Sequence, residues 1–236
     1  MKKILIGLGV LAALVGLGSV GVYSMDVLGT RSAEWNYRIT VEIETPEGIK
    51  SGSTVRKVKA DIPSIKAPEA KTVRHKIIGE AVPINLGLKG WAFALVNWDS
   101  YEDVYRAFPT IHGKAEDTLK YYRDLKVGSK AELKEGQPMI VVFTDINDPM
   151  SVKLAYVQSW ISQKEGYRTE DHFSELLGQG YKFKGITIEM TDDGVTQEID
   201  KILTKQFWKK FNEWWATLDI REKSIKASLF GFKTGE

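Results

Sequence analysis

The sequence predicts an α+β protein dominated by sheet: an antiparallel β-sandwich or barrel-like core with a few helices, behind an N-terminal apolar export helix. Three observations carry this class. Period-two alternation recurs, as in Ile39, Val41 and Ile43 against Arg38, Thr40, Glu42 and Glu44. Short β-rich runs are divided by frequent Gly and Pro turn signals, which suits antiparallel pairing. Finally, Ile4 to Val22 runs for 19 residues without a charge, about 28 Å as a helix.

That segment is read as a signal peptide or a membrane anchor, residues 1–24. Lys2 and Lys3 precede it and no basic residue follows until Arg31, which predicts a cytoplasmic N-terminus and an exported body. Its length predicts a single inner-membrane span with a periplasmic body; release into the periplasm after cleavage near Val22-Tyr23-Ser24 is the alternative. Gly16, Gly18 and Gly21 match G-x-G-x-x-G, with Glu34 downstream, but the glycines fall inside the apolar segment instead of between a strand and an amphipathic helix, so no dinucleotide site is predicted.

Residues 25–36 are small and polar and read as a tether. Tyr37 opens the sheet-rich domain, which extends to Leu203. The alternating run from Tyr37 and a second run from Val55 to Lys59 make a hairpin around Pro46-Glu47-Gly48, while Ser51-Gly52-Ser53 allows a bulge or a close backbone approach. Residues 60–71 carry two prolines and read as an irregular connection. Strands are expected over Val73–Ile78, Ala81–Leu86 and Trp91–Val96. Ser100 with Asp103 suggests capping of a helix from Tyr101 to Phe108, and Leu119, Tyr122 and Leu125 mark one face of another that Gly128 can end. Residues 139–145 form a buried strand; Thr169 caps a short helix ending at Gly178; Ile186, Ile188 and Met190 return to period two.

Residues 204–236 form an aromatic, Lys-rich helix and tail. Ile199, Leu203, Phe207, Phe211, Trp214 and Leu218 recur at helical spacing with lysines around them. A terminal helix docked on the sheet and a helix contacting a membrane surface or partner both fit; in the second case Trp208, Phe211, Trp214 and Trp215 are the contact residues.

The chemistry available is limited. With no cysteine, disulfides, thiol nucleophiles and thiolate metal sites are excluded. Beyond Ser24, 31 Lys and Arg balance 31 Asp and Glu, so nothing points to nucleic acid. His75, His112 and His172 show no ligand spacing, and adjacent Asp171 and His172 diverge. No catalytic residue and no resident cofactor are predicted. Calcium is the alternative, with Asp145, Asn147 and Asp148 as its candidate oxygen ligands and Asp192-Asp193 as a further acidic pair; a turn, with Asp148 capping a short helix that Pro149 begins, is the preferred reading of the first group.

Five separated stretches, RITVEIETPEGIKSGSTV, GEAVPINLG, AFALV, FTDINDPMSVKLAYV and ITIEMTDDGVTQEI, resemble in this order a functionally uncharacterised family of exported or membrane-anchored proteobacterial envelope proteins. The resemblance covers Tyr37 to Leu203, implies an envelope location and carries over no catalytic residue; the tail after Leu203 lies outside it. The first hairpin is also similar to the strand-turn-strand of immunoglobulin-like and transthyretin-like carbohydrate-associated modules. The expected function is therefore that of a non-enzymatic envelope binding or structural protein whose partner is another envelope protein or a glycan. A carboxylate-dependent envelope hydrolase or carbohydrate-processing enzyme is one alternative, and an adaptor working through its C-terminal helix is the other.

Overall fold

A computed structural model describes residues 31–63, 73–111 and 113–234. The export segment, most of the 60–71 connection and His112 lie outside the described residues. The protein is sheet-dominated, with two antiparallel sheets and few helices.

Strands β1 (Ser32–Thr45) and β2 (Gly48–Asp61) form a long hairpin. Gly48 adopts φ 113°, a left-handed conformation that a residue with Cβ resists, and the Thr45 hydroxyl ties the turn to the Gly48 carbonyl at 2.7 Å. The first sheet is completed by β3 (Arg74–Glu80), β6 (Lys130–Glu132), β10 (Lys182–Thr191) and β11 (Lys233–Thr234), in the order β11-β3-β2-β1-β10-β6. The second has the order β4 (Val82–Asn85), β5 (Trp91–Ala94), β7 (Ile140–Phe143), β8 (Val152–Ser162), β9 (Gly166–Asp171).

The sheets are joined where β3 passes through Ala81 into β4. There β4 lies so close to β2 that a Cβ on Gly52 would collide with the Pro83 carbonyl oxygen. The β1–β2 register runs unbroken through Gly52 opposite Val41, so the Ser51-Gly52-Ser53 stretch provides a close backbone approach without a bulge. The missing side chain makes room for the protein's own second sheet.

One core lies between the sheets, where Tyr37, Ile39, Val41 and Ile43 of β1 join Val82, Ile84, Ala92 and Val142. Helices α1 (Glu102–Ala107), α2 (Ala115–Arg123) and α3 (Phe173–Leu177) add Val104, Leu119 and Phe173 to it. A second core covers the other face of the second sheet, with Phe93, Val141 and Phe143 against Ile199, Leu203, Phe207 and Phe232. Its helices are α4 (Ile199–Ile202), α5 (Lys205–Thr217) and α6 (Ile220–Ala227). β7 is buried at all four positions because both of its faces are covered, which is why its sequence is a continuous apolar run instead of an alternation.

Several expectations are corrected. The tether does not reach residue 36: β1 begins at Ser32, and Ala33 and Trp35 are buried in phase with Tyr37. The small and polar residues around them hide a strand whose inward row is already apolar. The C-terminal segment docks its helix on the sheet, as the first of its two readings has it, but the boundary at Leu203 does not hold, because Phe232 enters the second core and β11 pairs with β3. Its helix is interrupted: Thr204 caps α5 by accepting the Phe207 amide at 3.4 Å, and a capping box of Asp219 and Glu222 starts α6. Thr169 lies in β9, and α3 is instead opened by Asp171, whose carboxylate accepts the Phe173 amide at 3.0 Å. Asp103 does not cap α1 but points into the core. The short strands β6 and β11 and the β8–β9 hairpin carry no pattern that announces them.

Candidate functional site: a polar cleft beside a buried ion pair

Tyr37 and Arg56 are direct cross-strand partners on the inward face of the first sheet. Both are fully buried, and Arg56 occupies a row otherwise made of Thr54, Val58 and Ala60. A buried guanidinium needs a counter-charge and acceptors for its fork of donors. Asp103 of α1 supplies the charge, its Oδ2 lying 3.2 Å from Arg56 Nη1. The Glu80 and Leu95 carbonyls accept from Nε and Nη2 at 3.1 and 3.4 Å. The Tyr37 hydroxyl lies 2.9 Å from Asp103 Oδ2 and 2.8 Å from the Ser100 carbonyl. One polar cluster thus ties β1, β2, α1 and the bend between the sheets. Burial pushes the Asp103 carboxyl up to about 6, although Arg56 and the Tyr37 hydrogen bond pull it down. Burial and the adjacent Asp103 hold the Tyr37 hydroxyl well above its usual range.

Glu80 extends this cluster toward the surface. Its buried carboxylate accepts the backbone amides of Glu198, at 2.8 and 3.0 Å, and of Ile199, at 3.1 Å, at the start of α4. The segment before α4 is also laced to β2, since Val55 donates its amide to Thr196 Oγ1 at 2.8 Å and accepts the Thr196 amide at 3.1 Å. Outside Glu80 opens a cleft of about 350 Å3, lined among others by Ile78, Thr196, Gln197, Asp200, Lys233 and Thr234. Lys233 Nζ and Asp200 Oδ2 are 2.5 Å apart at this cleft. It therefore offers a cation, a carboxylate, a carboxamide and hydroxyls, a set suited to hydrogen-bonding a charged or hydroxyl-rich ligand. Glu80 is committed to three amide contacts, and Asp103, 2% exposed, is sealed within the core.

On the other side of α1 is an aromatic cluster. His75 stacks on Tyr101 with centroids 4.1 Å apart, and its Nε2 lies 2.8 Å from the Tyr105 hydroxyl. Trp35 packs beside Tyr105 and Tyr122 at 6.0 and 5.7 Å. Burial pushes the Tyr122 hydroxyl up to about 12. Among the described residues, Trp35 Nε1 is the buried side-chain polar atom without a hydrogen-bond partner.

The acidic loop places its residues in turns. Asp145 accepts the Asn147 amide at 2.8 Å, and Asp148 accepts the Met150 amide at 2.9 Å to cap a single 3-10 turn. Among the described residues no group of three or more His, Asp or Glu is positioned to hold a metal ion. Asp193 pairs with Arg38. Asp171 and His172 do diverge: Asp171 accepts the Phe173 and Phe183 amides, whereas His172 lies 3.6 Å from Glu170 and 3.4 Å from Glu175. Trp208, Phe211, Trp214 and Trp215 form a half-buried row against Phe230 and Phe232, continuous with buried Phe207.

Arg56, Asp103, Glu80 and the cleft escape a reading of the sequence. Only Arg56 leaves a signal there, as a charge in the apolar phase of its strand. The family-like motifs map onto the first hairpin, the bend between the sheets, β5, the β7–β8 connection and the path from β10 to α4. No family model, no curated protein and no solved structure matches this chain.

Proposed function

We propose that this protein is a non-enzymatic binding protein of the bacterial envelope, held at the outer face of the inner membrane by residues 4–22 and engaging another envelope component through the cleft beside Glu80. The cleft is the observation that carries the binding role. Its floor is stabilised internally, because the Glu80 carboxylate is occupied by backbone amides, while Gln197 and the Lys233–Asp200 ion pair stand at the opening, where a charged or hydroxyl-rich ligand would exchange for one partner of that pair. The 19 uncharged residues and the two lysines ahead of them support the location.

The test is site-specific photocrosslinking in living cells with a benzophenone amino acid at Gln197, an exposed cleft residue. The reading expects export with the anchor retained and a discrete adduct that disappears on Lys233→Glu. An exported, folded protein giving no adduct at Gln197, or one indifferent to Lys233→Glu, refutes the cleft as the binding site. A full-length chain recovered from the soluble cytoplasm refutes the location.

A further inference from the structure

The aromatic row along α5 runs from the core out to the surface. Phe207 is sealed; Trp208, Phe211, Trp214, Trp215 and Leu218 are half-buried; Ile220, at the corner between α5 and α6, is 85% exposed. Around the corner stand Arg221, Lys223 and Lys226, alongside Asp219 and Glu222 of the capping box, with the Lys226 ammonium 5.5 Å from the Trp214 ring centroid. Charge follows the same division. Residues 199–234 carry eight Lys and Arg against four Asp and Glu, whereas the rest of the chain beyond Lys3 carries 23 against 27. The C-terminal segment that carries the apolar row is thus net basic, and the remainder of the molecule is net acidic.

We propose that the α5–α6 corner docks on an anionic lipid surface, with Ile220 and the outer edges of Trp214 and Trp215 entering the interface and Arg221, Lys223 and Lys226 meeting the headgroups. The proposal rests on the membrane-anchored reading. Tryptophan favours the headgroup level because its ring is apolar and its N–H polar, and flanking lysines add attraction to anionic lipid. The acidic balance elsewhere repels the same surface, so the charges favour the C-terminal segment as the side turned to the lipid, and Ile220 marks the corner as its most exposed apolar point. Nine residues, 23–31, separate Val22 from Ser32, limiting the reach of the body to about 30 Å from the bilayer. Tethering of that kind raises the local concentration of the corner at the headgroups, so that a contact too small to hold a free protein is populated.

The test uses the full chain in nanodiscs of phosphatidylcholine alone or mixed with phosphatidylglycerol, read by hydrogen exchange over residues 214–226. The expected result is exchange slowed several-fold in the anionic discs, reversed by high salt, and restored to the neutral-disc rate by Ile220→Asp or by Lys223→Glu with Lys226→Glu. Ile220 is exposed and Lys223 and Lys226 are half-buried, and unchanged exchange in β1 and β10 reports that the fold is intact. Equal exchange in both lipids, or slowing that survives the variants, overturns the proposal. Slowing that occurs only when envelope proteins are added also overturns it, in favour of a protein partner. Failure of the chain to remain in discs at alkaline pH refutes the anchor instead; the corner is then judged with the same chain on free vesicles of the two compositions.

Discussion

Replacing Asp103 by Asn tests whether the buried ion pair strengthens or weakens the fold. Two opposite outcomes can be argued. Removing one partner of a buried pair commonly costs about 3–5 kcal/mol, because the other charge is left uncompensated. Here, however, burial raises the Asp103 carboxyl from an ordinary 3.8 to about 6 even with Arg56 beside it, so desolvation outweighs the attraction. A folded-state value above the unfolded one means that the folded protein binds this proton more tightly. The stability it contributes is complete below about pH 4 and is lost as pH rises through about 6. At 1.36 kcal/mol per pH unit, the loss across that window is about 3 kcal/mol. Asn keeps the shape and an acceptor for Tyr37 and does not titrate, while Arg56 retains the Glu80 and Leu95 carbonyls. The variant is therefore expected to match the wild type near pH 4 and to exceed it by up to about 3 kcal/mol at pH 7.5. Urea unfolding at a series of pH values gives the wild-type minus variant difference. Taking that difference cancels the opposing slopes of carboxylates such as Glu34 and Asp124, which are held low by Lys59 and Arg123 respectively. A variant less stable than wild type at pH 7.5, or a difference that does not change between pH 4 and 7, refutes the reasoning.

Two further perturbations probe the joins of the fold. Gly52→Ala introduces a methyl group against the Pro83 carbonyl and is expected to cost about 1–3 kcal/mol with a lower Tm, whereas Gly194→Ala, where a Cβ meets open space, is expected to leave Tm within a degree or two; equal effects would show that the sheets do not meet at Gly52. Phe207→Ala should cost about 3–5 kcal/mol in denaturant unfolding, because the ring is 2% exposed and packs edge-on to Phe143 at 5.6 Å; a cost below about 1 kcal/mol would mean that α5 is not docked on the second sheet.

The alternating row of β1 was legible because one face of that strand meets the core and the other meets solvent, so burial is written directly into residue order. β7 was legible for the opposite reason, as an uninterrupted apolar run covered on both faces. The β8–β9 hairpin was not: Gln158 and Ser159 break the alternation, and Trp160 and Ile161 are both exposed near its end. The short strands β6 and β11 are specified by the edges they pair with, β10 and β3, and three- and two-residue segments are too short to carry a period. Ser100 and Asp103 have the spacing of a cap, yet a carboxylate is drawn inward when a buried guanidinium is within reach, and nothing local to residues 100–103 records the presence of Arg56.

The sequence by itself determined the sheet-dominated class, the first hairpin, the helical character of the C-terminal segment and the absence of thiol chemistry. These follow from local periodicity, turn residues and composition, which act within a few residues of chain. Only the tertiary structure decided that the aromatic tail belongs to the second core, that Gly52 makes room for Pro83, and that Arg56, Asp103 and Glu80 come together beside a cleft. Among those contacts, Arg56 and Glu80 are 24 positions apart, Glu80 and Ile199 119, and Phe93 and Phe232 139. Their partners are selected by burial, which demands a counter-charge and an acceptor for every enclosed donor regardless of distance along the chain.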